Sequence, residues 1–263
     1  MQHILYQVDA FTNRPFKGNP AAVCVLQEQE SKGWMQSIAA EMNLSETAYL
    51  LQEGEGWRLR WFTPTTEVDL CGHATLASAR VLFDLRPELK AEGIEFYTKS
   101  GTLYASWDAG KVMLDFPTMR YERFSYEGDA IRAIGFEPMD AVFSGNYFLF
   151  QAEDPRQVRS AQPDIPALLK LPMPEVIITA KSDQPQYDFI SRFFAPQLGV
   201  DEDPVTGSAH CLLTPFWAEK LGKREFDAYQ ASERGGELYL QLLNERVLIS
   251  GEAAMIMKAE LFV

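Results

Sequence analysis

A stretch in the first half of the chain recurs in the second half, and this internal repeat constrains the fold more than any other sequence feature. FTPTTEVDLCGHATLASARVL (residues 62–82) resembles FAPQLGVDEDPVTGSAHCLL (194–213), and SGTLYASWDAGKVMLDFP (100–117) resembles GGELYLQLLNERVLISGE (235–252). The matched pairs are Phe62/Phe194, Pro64/Pro196, Val68/Val200 and Asp69/Asp201, then, after a three-residue insertion, Gly72/Gly207, Ala74/Ala209, Gly101/Gly236, Leu103/Leu238, Tyr104/Tyr239 and Val112/Val247. One register held across a loop, a helix and a hairpin indicates a duplication.

The duplication predicts two similar halves, each with a turn, a helix and a β-hairpin, related by an approximate two-fold. A pocket between such halves would face the two equivalent loops, CGHA and TGSA. We predict that residues 1–116 form the N-terminal half and residues 117–252 the C-terminal half. The last strand, 253–263, is expected to return to the first half.

Local patterns support a strand-rich fold. WMQSIAAEM (34–42) has apolar residues at helical spacing, and Asn43 is a plausible end of that helix. ATLASARVLFDL and AHCLLTPFWAEKLG are predicted to be buried helices after the two loops, and Pro215 removes one backbone hydrogen bond from the second. Most other segments are short and β-branched or aromatic. Many strands without βαβ alternation predict an α+β fold.

Charge and cysteine usage exclude several classes of function. The 24 Lys and Arg against 37 Asp and Glu give a formal net charge of −13, which disfavours nucleic acid and membrane surfaces as partners. Three cysteines and no CxxC or HExxH spacing predict reduced thiols and no metal site. The sequence has no GxGxxG or P-loop motif, no secretion signal and no long apolar run. A cytoplasmic protein is expected.

Two candidate residues for chemistry lie in the first half. Alternation in the predicted strand SETAYLL puts Glu46 on the same face as Ala48 and Leu50. A carboxylate on an apolar face is costly unless it is paired, so Glu46 is either a functional acid or an edge-strand acid that points to water. His73 follows a glycine at a helix start, where free N–H groups favour a bound carboxylate. The alternative for His73 is a surface residue that caps the helix.

The stretch DEDPVTGSAHC (201–211) supplies two further candidates, Asp203 and Ser208. Each has a structural alternative, since Asp203 could cap the turn and Ser208 could cap the helix that follows. Ser208 and His210 also suggest a hydrolase. However, TGSAH is not the G-x-S-x-G elbow, and residues two apart at a helix start point away from each other.

Five segments of the chain resemble the phenazine-biosynthesis isomerase family (PhzF-like), which is related in fold to diaminopimelate epimerase. They are VDAFTNRPFKGNPAAV, NLSETAYL, FTPTTEVDLCGHATLA, GVDEDPVTGSA and ASERGG, which span nearly the whole chain in the family's order. The resemblance implies two pseudo-symmetric halves, each a sheet or barrel rolled around a central helix, with the active site between them. It also implies that no cofactor is needed and that the protein forms a homodimer.

The resemblance assigns roles to individual residues. The implied catalytic residues are Glu46, which shuttles a proton, with His73, Asp203 and Ser208. The implied substrate-binding positions are Asn19, Gly72, Ala74, Gly207 and Ala209. The expected activity is a cofactor-independent proton transfer on a small carboxylic acid whose identity the sequence does not give.

Two alternatives to the isomerase stay open. The related epimerases use two opposed cysteines, one per half. Cys71 stands at the first of these positions, but the second aligns with Pro204, which has no acid–base group. Epimerisation would therefore need Cys71 to work with a carboxylate. The other alternative is a protein that binds small carboxylates without catalysis.

Overall fold

The computed structural model describes residues 3–126 and 128–263, which form two compact units. Unit 1 comprises the chain up to Phe116 together with Leu248–Val263, and unit 2 comprises Pro117–Val247. The strands of the described residues are β1 His3–Ala10, β2 Asn19–Leu26, β3 Glu46–Glu53, β4 Gly56–Phe62, β5 Glu67–Val68, β6 Ile94–Thr98, β7 Gly101–Asp108, β8 Lys111–Pro117, β9 Glu122–Arg123, β10 Asp140–Ser144, β11 Tyr147–Gln151, β12 Glu175–Lys181, β13 Phe189–Ala195, β14 Val200–Asp203, β15 Glu225–Gln230, β16 Gly236–Leu243, β17 Arg246–Gly251 and β18 Ala253–Leu261. The helices are α1 Lys32–Met42, α2 Gly72–Leu85, α3 Leu89–Glu92, α4 Gly128–Ile134, α5 Pro155–Ser160, α6 Ile165–Leu168 and α7 His210–Leu221, with a short 3-10 turn at Pro196–Leu198.

The described part of unit 1 is a mixed sheet that contains parallel and antiparallel pairs. β2 runs parallel to β3, and β4 runs parallel to β6. The pairs β1–β2, β3–β4, β4–β5, β6–β7 and β7–β8 are antiparallel. β18 joins the same unit by pairing antiparallel with β1.

Unit 2 repeats this succession of strands. β10–β11 is antiparallel, β11–β12 parallel, β12–β13 and β13–β14 antiparallel, β13–β15 parallel and β15–β16 antiparallel. The strands β10 to β16 therefore follow the order and sense of β1 to β7. The prediction of an α+β fold made of two similar halves is confirmed.

Within residues 3–126 and 128–263, each unit also has a long buried helix at the same place in the succession. α2 lies between β5 and β6, and eleven of its fourteen residues are buried. It packs against β1, β2 and β3. α7 lies between β14 and β15 and is buried over most of its first two turns. Small residues such as Ala74, Ala77 and Ala79 let the surrounding strands approach α2 closely.

Capping fixes the bounds of α1. Ser31 is its N-cap and accepts a hydrogen bond from the Trp34 N–H at 3.1 Å. Asn43 ends the helix in the left-handed region, with φ 49°, and its N–H donates to the Ala39 carbonyl. Both the helix and its end at Asn43 are as predicted.

Pro215 lies inside α7, as the sequence implies, and cannot donate to the carbonyl of Cys211 one turn earlier. The Met119 N–H donates to that carbonyl instead, at 2.9 Å. The lost helical bond is therefore replaced by a bond from a distant segment of unit 2. The buried acceptor stays satisfied, which removes most of the cost of a proline in the helix interior.

Each unit has its own apolar cluster. In unit 1 the cluster includes Leu5 of β1, Cys24 of β2 and Ile38 of α1. In unit 2 it includes Phe150 of β11 and Val176 of β12. Among the described residues, no helix combines the length and the apolar character that crossing a bilayer requires.

Candidate active site

Glu46 is the first residue of β3, a strand that lies between β2 and β4. Its side chain is 19% exposed, and its Oε2 atom lies 3.3 Å from Nε2 of His73. β3 is an interior strand, so the interpretation of Glu46 as an edge-strand acid pointing to water is wrong. The parallel pairing of β3 with β2, which one sequence pattern cannot reveal, places the carboxyl beside the start of α2.

His73 is the second residue of α2 and is buried, so the interpretation as a surface cap is also wrong. Burial lowers the pKa of His73 to about 3, because the imidazolium form loses its hydration. The ring is therefore neutral near pH 7. The contact between His73 and Glu46 is therefore one between a neutral imidazole and a carboxyl oxygen, and not a charged ion pair.

Cys71 completes a three-residue group with Glu46 and His73. It is the N-cap residue of α2, is buried, and its Sγ lies 3.5 Å from Nδ1 of His73. The imidazole thus lies within contact distance of both a carboxyl and a thiol. A neutral imidazole has one nitrogen that carries a proton and one that carries a lone pair. It can therefore pass a proton between the group beside Nε2, which is Glu46, and the group beside Nδ1, which is Cys71.

Among the residues that the structure describes, these three side chains are placed so that they could hold a metal ion. One ligand atom from each of Glu46, Cys71 and His73 lies within 4.8 Å of the others. Thiolate, imidazole and carboxylate together are a ligand set that suits Zn²⁺. The set is assembled from two separate segments, so the sequence spacing does not reveal it.

The other predicted binding positions in unit 1 lie on the segments that carry this group and on the strand next to it. Asn19 is fully buried at the start of β2, two residues before Ala21, which is the register partner of Glu46. Gly72 and Ala74 are buried in the first turn of α2. Thr75 donates its N–H to the Cys71 carbonyl at 3.1 Å, so the N–H groups of residues 72–74 precede the first intrahelical bond. Such N–H groups at a helix start are donors for an anion.

In unit 2, Asp203 is the last residue of β14 and is held by its own turn. The Thr206 hydroxyl donates to Asp203 Oδ2 at 2.5 Å. The side chain of Gln230, at the end of β15, is fully buried and fixes this turn: Nε2 donates to the Asp203 carbonyl at 2.8 Å, and Oε1 accepts from the Thr206 N–H at 2.8 Å. Neither Gln230 nor Thr206 is among the candidate residues that the sequence indicates. ASERGG, the segment directly after Gln230, was the nearest signal.

Ser208 is not the helix cap that the sequence allowed. α7 begins at His210 with Ala209 as its N-cap residue, and Ser208 lies one position before the cap. The Ser208 hydroxyl instead lies 3.0 Å from the Tyr147 hydroxyl of β11. Gly207 and Ala209, on either side, are buried. Tyr147 is another residue that sequence reasoning missed, because it comes from a strand far away along the chain.

His210 is a structural residue. Its Nδ1 lies 2.8 Å from the Thr206 carbonyl, and its ring stacks on Phe189 at 6.1 Å between centroids. Burial lowers the pKa of His210 to about 4, and the bond to Thr206 offsets this in part. The neutral ring bonds to backbone, which argues further against a Ser208–His210 hydrolase pair.

Comparison with known proteins places this geometry in a family. The family model described as "Phenazine biosynthesis-like protein" (PhzC-PhzF) matches residues 8–259. The chain belongs to the PhzC-PhzF family. A curated relative from Halalkalibacterium halodurans, named "Uncharacterized isomerase BH0283", is 48% identical over 98% of this chain and 97% of its own length. Further relatives carry the same class in their names, so the prediction of an isomerase is confirmed at the level of enzyme class.

Solved structures confirm the fold. A PhzF-family protein from Enterococcus faecalis superposes with a TM-score of 0.96 at 42% identity, covering 100% of both chains. A hydroxyproline epimerase from Agrobacterium vitis reaches a TM-score of 0.61 at 13% identity, covering 99% of this chain and 91% of that one. The second likeness shows the fold alone. Together they confirm the PhzF-like resemblance and the epimerase-like architecture.

Proposed function

We propose that this PhzC-PhzF family member is a cofactor-independent isomerase that moves a proton between carbons of a small carboxylic acid. One observation carries the proposal: the Glu46 carboxyl is half-buried 3.3 Å from a neutral, buried His73, at the start of a helix. A carboxylate in that position can accept a proton, and the helix start next to it can hold an anion.

In the proposed reaction, Glu46 takes a proton from a carbon that the substrate's own carboxylate activates. The electron pair left by the broken C–H bond delocalises into the substrate, and protonated Glu46 returns the proton to another carbon on the same face. His73 orients the Glu46 carboxyl and can exchange a proton with it. The N–H groups of Gly72 and Ala74 stabilise the charge that develops on the substrate carboxylate, as an oxyanion hole does.

Asn19 and the residues of unit 2 have supporting roles in this proposal. Asn19 is assigned to substrate binding. In unit 2, Asp203 and Ser208 are assigned to proton transfer and substrate orientation, and Gly207 and Ala209 to substrate binding. The turn held by Gln230 keeps the Asp203 carboxylate in one orientation through Thr206. Every step uses proton transfer and hydrogen bonding, so the chemistry requires no cofactor.

The decisive variant is Glu46→Gln, which keeps the size of the side chain and removes the base. Wild-type protein is incubated in heavy water with a panel of small amino acids, 2-hydroxy acids and unsaturated carboxylic acids, and deuterium uptake at carbon is followed by NMR. We expect uptake into at least one acid, and a loss of about 10²–10⁴-fold in Glu46→Gln. Circular dichroism checks that each protein is folded. The shift in melting temperature on adding each carboxylic acid of the panel checks whether that acid binds.

Glu53→Gln is the matched control, since Glu53 ends the same strand and is exposed beside Arg58 at 2.6 Å. It should exchange deuterium at the wild-type rate. If Glu46→Gln also exchanges at the wild-type rate, Glu46 is not the base. If no acid in the panel gains deuterium while one of them still binds, the protein binds small carboxylates without catalysis.

Epimerisation is the second candidate, and the contact between Cys71 and His73 at 3.5 Å favours it. A thiol linked through the imidazole to Glu46 could supply a proton from a second direction. Cys71→Ala then abolishes inversion at carbon, while Cys24→Ala, a buried thiol in β2, leaves it intact. If Cys71→Ala still inverts the configuration at carbon, Cys71-dependent epimerisation is excluded.

A further inference from the structure

Glu175 occupies in unit 2 the position that Glu46 occupies in unit 1. Glu46 is the first residue of β3, which runs parallel to β2, and its register partner is Ala21. Glu175 is the first residue of β12, which runs parallel to β11, and its register partner is Tyr147. Both strands continue with buried residues after a half-buried glutamate. The two units thus place one carboxyl at the same point of the same strand pattern.

The partners of the two carboxyls also correspond. The internal repeat aligns Gly72 with Gly207 and Ala74 with Ala209, which places His73 opposite Ser208. Serine is too short to take the place of an imidazole. In unit 2 the Tyr147 hydroxyl fills the gap: it donates to Ser208 Oγ at 3.0 Å, and Tyr147 is the register partner of Glu175 on the neighbouring strand.

The environment of Glu175 suits a carboxyl that holds and releases a proton. Its Oε2 atom is buried and has no hydrogen-bond partner among residues 3–126 and 128–263. Burial raises the pKa of Glu175, and the neighbouring Tyr147 hydroxyl partly lowers it. Burial also raises the pKa of the Tyr147 hydroxyl, and that of the nearby Cys211 thiol to about 12. Tyr147 and Cys211 are therefore neutral near pH 7, and burial favours the protonated form of Glu175 as well.

We propose that Glu175 is a second acid–base carboxyl, which acts through the Tyr147 hydroxyl on Ser208. This rests on the proposed function, in which Ser208 contacts the substrate. Protonated Glu175 gives its proton to the Tyr147 oxygen, Tyr147 gives its own to Ser208, and Ser208 gives its own to the charged oxygen of the substrate anion. Each hydroxyl gains and loses one proton, and Glu175 is left as a carboxylate. The proton returns along the same path when Glu46 reprotonates carbon. Glu175 and Tyr147 act through Ser208 and are positioning residues.

The first experiment needs no substrate. The Glu175 carboxyl is titrated by carbon-13 NMR in glutamate-labelled protein, with Glu175→Gln identifying its signal. We expect its pKa above the usual value of about 4.3, and a further rise in Tyr147→Phe because the neighbouring hydroxyl that favours the carboxylate is lost. Tyr187→Phe is the matched control, since Tyr187 donates to Glu237 at 2.6 Å in the same unit. It should leave the Glu175 titration unchanged.

The second experiment measures deuterium uptake against pH, using the acid from the panel that exchanges fastest. Glu175→Gln should lower the exchange rate at least about tenfold, which is a smaller loss than removal of a direct acid–base group causes. The pH profile of this variant should also lose the limb that reflects the titration of Glu175. The double variant Glu175→Gln/Tyr147→Phe should be no slower than the slower single variant, because both break one relay. A purely structural role would give additive losses and an unchanged pH profile.

The outcomes separate the two proposals. If Glu46→Gln abolishes exchange while Glu175→Gln has the wild-type rate and pH profile, the relay is wrong and the isomerase proposal stands. If Glu46→Gln exchanges normally, the isomerase proposal is wrong. An ordinary Glu175 pKa that Tyr147→Phe does not move overturns the relay even when no acid in the panel reacts.

Discussion

The buried ring of His210 makes the stability of unit 2 sensitive to mild acid. The ring is fully buried, and its pKa falls from the ordinary 6.5 to about 4 on folding. Between pH 6.5 and about 4, His210 is therefore protonated in the unfolded chain and neutral in the folded chain. The contribution of neutral His210 to the free energy of unfolding is complete above pH 6.5. This contribution is lost as the pH falls towards the pKa of His210 in the folded protein.

The magnitude follows from the two pKa values. For one histidine with a pKa of 6.5 unfolded and about 4 folded, lowering the pH from 7 to 5 costs about 2 kcal/mol of unfolding free energy. His210→Asn removes the titration and keeps an N–H donor for the Thr206 carbonyl. The loss of ring packing lowers stability at both pH values, by about 1–3 kcal/mol. The drop from pH 7 to pH 5 should shrink by about 2 kcal/mol.

The assay is urea unfolding of both proteins at pH 7 and pH 5 at one ionic strength. His73, which titrates in unit 1 of both proteins, cancels in the comparison. Ile190→Val is the packing control: it removes one methylene from a fully buried side chain in the same unit and should cost about 1 kcal/mol equally at both pH values. If His210→Asn loses as much stability between pH 7 and pH 5 as the wild type, the neutral buried histidine is not the cause.

Three further predictions concern stability and assembly. Ser31→Ala removes the acceptor for the Trp34 N–H and should lower the unfolding free energy by about 1 kcal/mol in urea titrations. Gly18→Ala should cost more than Gly54→Ala: both have φ above 60°, but a Cβ at Gly18 would lie 2.1 Å from the Ala10 carbonyl oxygen, whereas Gly54 faces open space. Equal losses would contradict the steric argument. Light scattering should give twice 29.8 kDa if the homodimer expected from the resemblance forms, and 29.8 kDa contradicts it.

The parts of the fold that depend on local or repeated patterns were predictable. The repeat held one register through FTPTTEVDLCGHA and FAPQLGVDEDPVTGSA, so two similar halves followed from the sequence. α1 was predictable because its apolar spacing and Asn43 act within the segment itself. The family resemblance then supplied the architecture around the buried helices, which no single window contains.

The surroundings of the candidate residues were not predictable, because distant strands determine them. Glu46 has two possible environments in isolation, and the pairing of β3 with both β2 and β4 decides between them. Ser208 was taken as a possible cap, yet α7 starts two residues later and the hydroxyl bonds to Tyr147. Glu175 lies outside every motif. It becomes a candidate only through its parallel register with Tyr147.

In the proposed reaction, Glu46 moves a proton from one carbon of a small acid to another carbon of the same acid. The most direct measurement is the position of deuterium in product formed in heavy water, read by NMR for the wild type and for Glu46→Gln. Because protonated Glu46 can exchange its proton through His73, we expect deuterium at a carbon that carried no acidic proton in the substrate, and no product with Glu46→Gln. Deuterium only at the original carbon, or product formation that continues without Glu46, would contradict it.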